Sequence, residues 1–286
     1  MSRSHWESAL ASAVPSLECV SHVRVLDEVV STQDVAAEAS QRCEPGWLVV
    51  ADRQTGGRGR RGSIWHQTSD GHGLGVALSI TLPVVCAHST KIPDPSLILA
   101  CETPPGIVAC AGLAVVNAAA TRFPALKGRI GVKWPNDVVE RATGRKCAGC
   151  LVEQHGDVLI LGVGLNVHQQ TQDFAETIRD RATSLEMLTG SLSENEDIRL
   201  GILCDWLRSF DMLRNCSVAN IKEQWQRNDA TAHRVCTVVS GNTTVRGTIC
   251  ATDPWDGICI DTEERVEYVN AATARVTQVD GWCELG

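Results

Sequence analysis

Apolar residues fall on every second position over residues 73–81, at Leu74, Val76, Leu78 and Ile80, which predicts a strand whose large side chains face one core. Shorter apolar runs at 23–26 and 47–51 predict two earlier strands, and Ser31 or Thr32 can cap a helix over 34–42 between them. After a proline-interrupted connection at 93–105, an Ala-rich run predicts a helix over 107–122 that packs on the sheet. Strands are predicted at 130–133, 138–140, 150–154 and 158–166, the last two joined by a Gly156-Asp157 turn, and helices follow at 198–213 and 218–225. Beyond Arg227 the runs shorten to 235–239, 243–251, 257–261, 266–269 and 274–279, with turns at Gly241-Asn242 and Asp256-Gly257. The pattern predicts an α+β protein, with a mixed β-sheet and helices over 1–230 and a small β-barrel over 231–286.

With 286 residues, 43% hydrophobic and 21% charged, the chain is long enough for a large domain and a small one and is not of disordered composition. A net charge of -8 supplies no global field for nucleic acid or anionic lipid, so any such contact needs a local patch. The longest apolar stretches, such as 107–120, fall short of the roughly 20 residues of a membrane span. Residues 1–10 carry Arg3, His5, Trp6 and Glu7 with no apolar core of a secretion signal, so a soluble cytoplasmic protein is expected. Thirteen cysteines cannot all pair, and most lie in apolar runs, where thiols act as small hydrophobes. Cys147-x-x-Cys150 has no second pair to complete a metal shell, and core packing is the expectation there too.

Chemistry concentrates in four segments. Gly56-Gly57-Arg58-Gly59-Arg60-Arg61-Gly62 follows a strand and can bring backbone amides and guanidiniums around an anion. Taken alone it also fits a basic surface loop, an RNA contact or a solubility feature. Lys133-Trp134-Pro135-Asn136-Asp137 ends another strand and can aim one positive charge into a cleft. Lys146 precedes Cys147-Ala148-Gly149-Cys150-Leu151-Val152-Glu153, and Gly162-Val163-Gly164-Leu165-Asn166 places two glycines on a strand, where they admit close approach. That Gly-x-Gly opens no helix, so a dinucleotide site is excluded by context.

In this order, with Ser31-Thr32-Gln33, Gln54 and Trp65, the segments resemble the biotin protein ligases over nearly the whole chain from about residue 20. The resemblance implies a mixed-sheet catalytic domain with a small C-terminal SH3-like β-barrel. It implies ATP and biotin as substrates, with Mg2+ expected, and a two-step reaction. Biotin's carboxylate attacks the α-phosphate of ATP, giving biotinyl-5'-AMP and pyrophosphate, and a lysine of a biotin carboxyl carrier protein or domain then takes the acyl group. Joining two anions asks for charge neutralisation rather than a nucleophile–His pair.

By position the resemblance assigns Ser31, Thr32, Gln33, Gln54, Arg58, Gly59, Arg60, Trp65 and Lys133 to biotin, with Gln33 standing where the family often has Asn. It assigns Arg58, Arg60, Lys133, Asn136, Lys146 and Asn166 to the nucleotide, and Lys133, Arg58 and Arg60 to catalysis. No metal ligands can be read off. Trp134 is expected to wall the pocket, and Phe174 is the aromatic candidate to stack on adenine in a segment, 169–182, that has no Trp. The glycine-rich loop is expected to order around the anion. Only about thirty residues precede Ser31, too few for a winged helix-turn-helix, so the expectation is a ligase with no DNA and no membrane among its partners, and with room for a homodimer. A lipoate ligase, sharing the adenylation chemistry, is one rival, and a non-catalytic RNA-binding module using Arg58, Arg60 and Arg61 is the other; the acidic charge weighs against the second.

Overall fold

The computed structural model describes residues 3–41, 45–65, 73–83, 99, 103–192 and 197–282. Helix α1 (Arg3–Ala13) leads to β1 (His22–Val29), α2 (Thr32–Ser40) and β2 (Trp47–Gln54). A two-residue hairpin, β3 (Gly57–Arg58) and β4 (Ile64–Trp65), precedes β5 (Gly75–Pro83), α3 (Pro104–Arg122), β6 (Ile130–Lys133), β7 (Asp137–Glu140), β8 (Lys146–His155) and β9 (Val158–Asn166). Helices α4 (Leu185–Thr189), α5 (Ile198–Arg214) and α6 (Val218–Asn228) follow, then β10 (Val235–Ser240), β11 (Thr243–Asp253), β12 (Gly257–Asp261), β13 (Val266–Asn270) and β14 (Ala274–Val279).

Seven strands form one mixed sheet in the order β1-β2-β5-β9-β8-β7-β6, parallel only between β1 and β2. Side-chain alternation sorts its two faces. Leu48, Val50, Leu159 and Leu161 belong to the main core with α3, whereas Val49 and Ile160 pack with Ala36 of α2 on the other side. Strand β5 is therefore buried on both faces, although its sequence alternates as if only one were covered. Helix α3 owes its start to Thr103, whose hydroxyl accepts from Gly106 N–H, and to the prolines in its first turn. Its 19 residues approach a membrane span in length and apolarity. Here Ile107, Cys110, Leu113 and Ala114 are fully buried, and α5 and α6 pack over the helix.

The sequence placed nothing on α1. Only Trp6 and Leu10 of that helix are buried, too sparse a stripe to read, and Trp6 Nε1–H donates to Asp197 at 2.6 Å. The connection expected at 93–105 lies largely outside the described residues.

The C-terminal strands form a five-stranded antiparallel sheet in the order β13-β12-β11-β10-β14. This is the expected small C-terminal β domain, with no ladder between its edge strands β13 and β14 among the described residues. This small β unit is fastened to α6 and the segment that follows it through buried polar groups. Asp229 accepts from Thr231 N–H (2.7 Å) and from the Thr252 hydroxyl (2.7 Å), and Thr252 in turn accepts from Trp225 Nε1–H (2.9 Å). Burial pushes the Asp229 carboxyl up, and those hydrogen bonds partly offset the rise.

Candidate active site

A cavity of about 410 Å³ opens on the α2 face of the large sheet, a volume ordinary for a small-molecule site. Its floor is made of glycine. Gly149 of β8 and Gly164 of β9 are cross-strand partners, and Gly162 lies two residues away on the same face. A Cβ at Gly164 would collide with the Trp65 indole, and one at Gly162 would stand 3.0 Å from the Gln33 side chain. The Gly-x-Gly pattern thus seats an aromatic ring and an amide against a bare strand.

One end of the cavity is polar and neutral. Ser31 caps α2, its hydroxyl accepting from Gln33 N–H, and this sets Thr32 and Gln33 on the first turn. Gln54 Oε1 accepts from Thr32 N–H (2.7 Å) and from the Thr32 hydroxyl (2.9 Å). Gln33 is buried, and its Nε2 is among the few buried polar atoms of the described residues with no hydrogen-bond partner. An unpaired buried donor costs about 1–3 kcal/mol, which a ligand carbonyl reaching it would recover.

The other end is cationic. Lys133, Lys146, Arg60, Arg61 and Arg275 all line the cavity, against one carboxylate, Asp137. Lys146 Nζ is 2.6 Å from Asp137 Oδ1 and 5.4 Å from the centroid of the Trp65 ring, and Lys133 Nζ is 4.0 Å from Asp137 Oδ2. Burial alone would raise the Asp137 carboxyl, but Lys146 and Lys133 hold it below its ordinary value. The carboxylate so charged fixes both ammonium groups toward the same space. Asn136 Nδ2–H donates to the Cys150 carbonyl (2.7 Å), and its Oδ1 accepts from Arg60 at 3.5 Å. Trp134 is buried in the wall, its Nε1–H donating to the Asp253 carbonyl (3.2 Å).

Residues 26–169, half of the chain, match the biotin/lipoate A/B protein ligase family. The chain belongs to this family. It is 31% identical over 211 residues to the bifunctional ligase/repressor BirA of Bacillus spizizenii; the match takes in 72% of this chain but 58% of that relative's length. It is 29% identical over 253 residues to a biotin–[acetyl-CoA-carboxylase] ligase of Mycobacterium tuberculosis, covering 87% of each. Among solved structures, a biotin protein ligase from Aquifex aeolicus in complex with biotin and ATP aligns with a TM-score of 0.68 at 26% identity, covering 89% of this chain and 98% of that one.

Of the residues to which this biotin/lipoate ligase sequence points, Thr32, Gln33, Gln54, Gly59, Arg60, Trp65, Lys133, Asn136 and Lys146 come together around the cavity. Three stand elsewhere in role. Ser31 is not among the residues lining the cavity, and its hydroxyl accepts from Gln33 N–H as the cap of α2. Asn166 is buried off the cavity, its amide donating to the Thr183 carbonyl (3.0 Å) and Lys146 carbonyl (3.5 Å) and accepting from Gln169, so it braces the strand that carries Lys146. Arg58 borders the cavity, but its guanidinium is engaged by Asp34 (2.8 Å) and Glu153 (3.2 Å). Phe174 is buried and lines no part of the cavity, so it offers no face to adenine there. The glycine-rich loop already has internal partners, with Gly59 N–H donating to the Ser63 carbonyl and Gly56 N–H to the Val30 carbonyl. Arg275 was missed, since nothing in the alternation of β14 separates it from an ordinary outward arginine. Cys147 and Cys150 are buried, and burial pushes both thiols up to about 12, so they sit as neutral packing groups.

Proposed function

We propose that this protein is an ATP-dependent biotin protein ligase acting on a carrier protein or domain of a biotin-dependent carboxylase, through biotinyl-5'-AMP. The observation that carries the reading is the division of the cavity, with an orphan amide donor at one end and five cations with one carboxylate at the other. A biotin-like acid fits that division. Its ureido carbonyl would accept from Gln33 Nε2, and its carboxylate and the α-phosphate would share Lys133, Lys146 and Arg60.

In the first step a carboxylate oxygen bonds to the α-phosphorus and the bond to the pyrophosphate oxygen breaks. Lys133 and Lys146, held in place by Asp137, bring two mutually repelling anions together and neutralise the charge that builds at the phosphorus. In the second step a carrier lysine, as the free amine, attacks the acyl carbon, AMP leaves, and the amine proton goes to solvent. No enzyme nucleophile is needed. Gln54, Thr32 and Ser31 position the neutral end, and Asn166 positions Lys146. Among the described residues no group of three or more His, Cys, Asp or Glu is placed to hold a metal, and Asp137 is committed to lysine. The residues present do not fit a protein-held Mg2+, which would accompany ATP as part of that substrate.

The resemblance of the arginine loop and Lys-Trp-Pro-Asn-Asp favours biotin over lipoate, and the matched Mycobacterium and Aquifex proteins support that choice. The reading divides the chain at about residue 230, supported by the change of sheet between β9 and β10, and places the protein in the cytoplasm without DNA or membrane attachment. Setting Cys110 aside, eight cysteines among the described residues are free thiols, which suits a reducing compartment. Incubating a carboxylase carrier domain with ATP, biotin and this protein should add one biotin to one lysine by mass spectrometry. A carrier left unmodified, or modified only when lipoate replaces biotin, overturns the reading.

A further inference from the structure

We propose that Asp34 and Glu153 are positioning residues that strap the arginine loop over the ligand through Arg58, and so set how slowly biotin and its adenylate leave. The proposal rests on the ligase reading above and adds to it two acids that were given no role there, Asp34 beside the Ser-Thr-Gln motif and Glu153 at the end of the Lys146 segment.

The geometry is that of a bridge across the cavity. Arg58 is the last ladder residue of β3 before the tip of the β3–β4 hairpin, whose ladder is two residue pairs long. Its Nη1 meets Asp34 Oδ1 at 2.8 Å in the first turn of α2, and its Nη2 meets Glu153 Oε2 at 3.2 Å on β8. Gln33 and Leu151, neighbours of those acids on the same two elements, both line the cavity, so the guanidinium ties its two sides together above the glycine floor. Besides the local Gly59–Ser63 turn and the long Arg60–Asn136 contact, few polar ties fasten the loop. Four of its seven residues from Gly56 to Gly62 are glycine, its base is tied by Gly56 N–H to the Val30 carbonyl, and Ile64 is left exposed. Burial of Arg58 would weaken its charge, and the two acids more than offset that loss. Two carboxylates on one guanidinium also leave a net negative charge beside the loop, so either acid retains a partner when the other is removed.

The opposite reading gives the opposite sign. Were the acids present to hold Arg58 away from an incoming carboxylate or phosphate, neutralising them would free the arginine and tighten binding.

The test uses the full chain and the variants E153Q, D34N, the double variant and E153D. Radiolabelled biotin is bound with ATP and chased with unlabelled biotin, and in parallel the ligand-free proteins are treated with trypsin and cleavage after Arg61 is followed. Partly exposed ion pairs of this kind support about a threefold faster release for each single variant and about tenfold for the double. E153D should recover most of the wild-type rate, the biotin KM should rise while kcat changes less than about twofold, and the difference should shrink near 1 M salt, where the Debye length is about 3 Å. A merely structural role would show neither the salt dependence nor the rescue. D34N also removes a charge from the start of α2, which makes E153Q the cleaner single variant. Release at the wild-type rate or slower in the double variant overturns the strap. Failure of the wild type to form any adenylate overturns the ligase reading instead, and the strap is then judged by the ligand-free cleavage, where equal rates in wild type and double variant refute it.

Discussion

Placing a single methyl group at Gly164 tests whether the Trp65 indole owes its seat to that glycine. The added carbon would stand 2.5 Å from Trp65 Cζ2 and 2.8 Å from Cδ2, where ordinary carbon contacts are about 3.5–4.0 Å, so the ring must retreat by about 1 Å. The sheet cannot yield, since Gly164 is laddered to Ala77 on one side and Gly149 on the other. The two-pair hairpin that carries Trp65 can. Overpacking of this kind costs about 1–3 kcal/mol, and because the displaced ring walls the cavity the cost should appear in ligand affinity, as a loss of roughly 5- to 150-fold by titration calorimetry with biotin. Retreat would also break the Lys146–Trp65 contact. The control is a double-mutant cycle. With Trp65→Ala already in place, Gly164→Ala should change affinity by less than about 0.5 kcal/mol, because nothing remains to collide with. If the two losses simply add, Trp65 does not depend on Gly164 and this account of the Gly-x-Gly motif is wrong.

Three further outcomes are expected. Lys133→Ala should lower biotin-dependent ATP–pyrophosphate exchange by the equivalent of about 3–4 kcal/mol with an unchanged circular dichroism spectrum, and an unaltered rate removes Lys133 from the mechanism. Arg60→Gly should still form the adenylate but lose it about tenfold faster, seen as streptavidin-detected labelling of added serum albumin; labelling no greater than wild type refutes retention by Arg60. Burial would raise the carboxyl of Asp211, which accepts from Glu18 N–H (3.1 Å) and Cys19 N–H (3.0 Å), but the Glu18 amide, the Cys19 thiol and Arg214 hold it below its ordinary value. Its stabilisation is present above the unfolded value near 3.8 and is lost as pH falls through the lower folded one, so urea unfolding of Asp211→Asn should show less acid destabilisation below about pH 4 than wild type; equal slopes refute it.

Much of this architecture was legible because periodicity and burial agree. The apolar run of β9 and the Ala-rich run of α3 gave elements close to those observed, and the ordered motifs gathered most of the cavity. What the sequence could not show were choices among hydrogen-bond partners. Ser31 could cap a helix or line the cavity, and it caps α2 just off the lining. Asn166 could face a nucleotide, and two backbone carbonyls claim it. Arg58 looked like an anion ligand because Asp34 and Glu153 are far from it in sequence and lie on separate elements. Arg275 enters the cavity from a strand more than a hundred residues beyond the last motif, a juxtaposition only the packing of the small β unit creates.

The apolar length of α3 has a consequence during synthesis. When Pro104–Arg122 leaves the ribosome, the strands β6 to β9 and the helices α5 and α6 that bury it have not yet been made. At about 5–20 residues per second, roughly several seconds pass before α5 emerges, and for that interval the segment offers membrane-insertion machinery a stretch close to a genuine anchor. Its many alanines and its two leading prolines, which cost little once α3 is packed, make the nascent segment a poorer substrate for that machinery than a leucine-rich helix of equal length. Replacing those alanines with leucine would therefore endanger delivery of the chain to its compartment as well as the packing of its core.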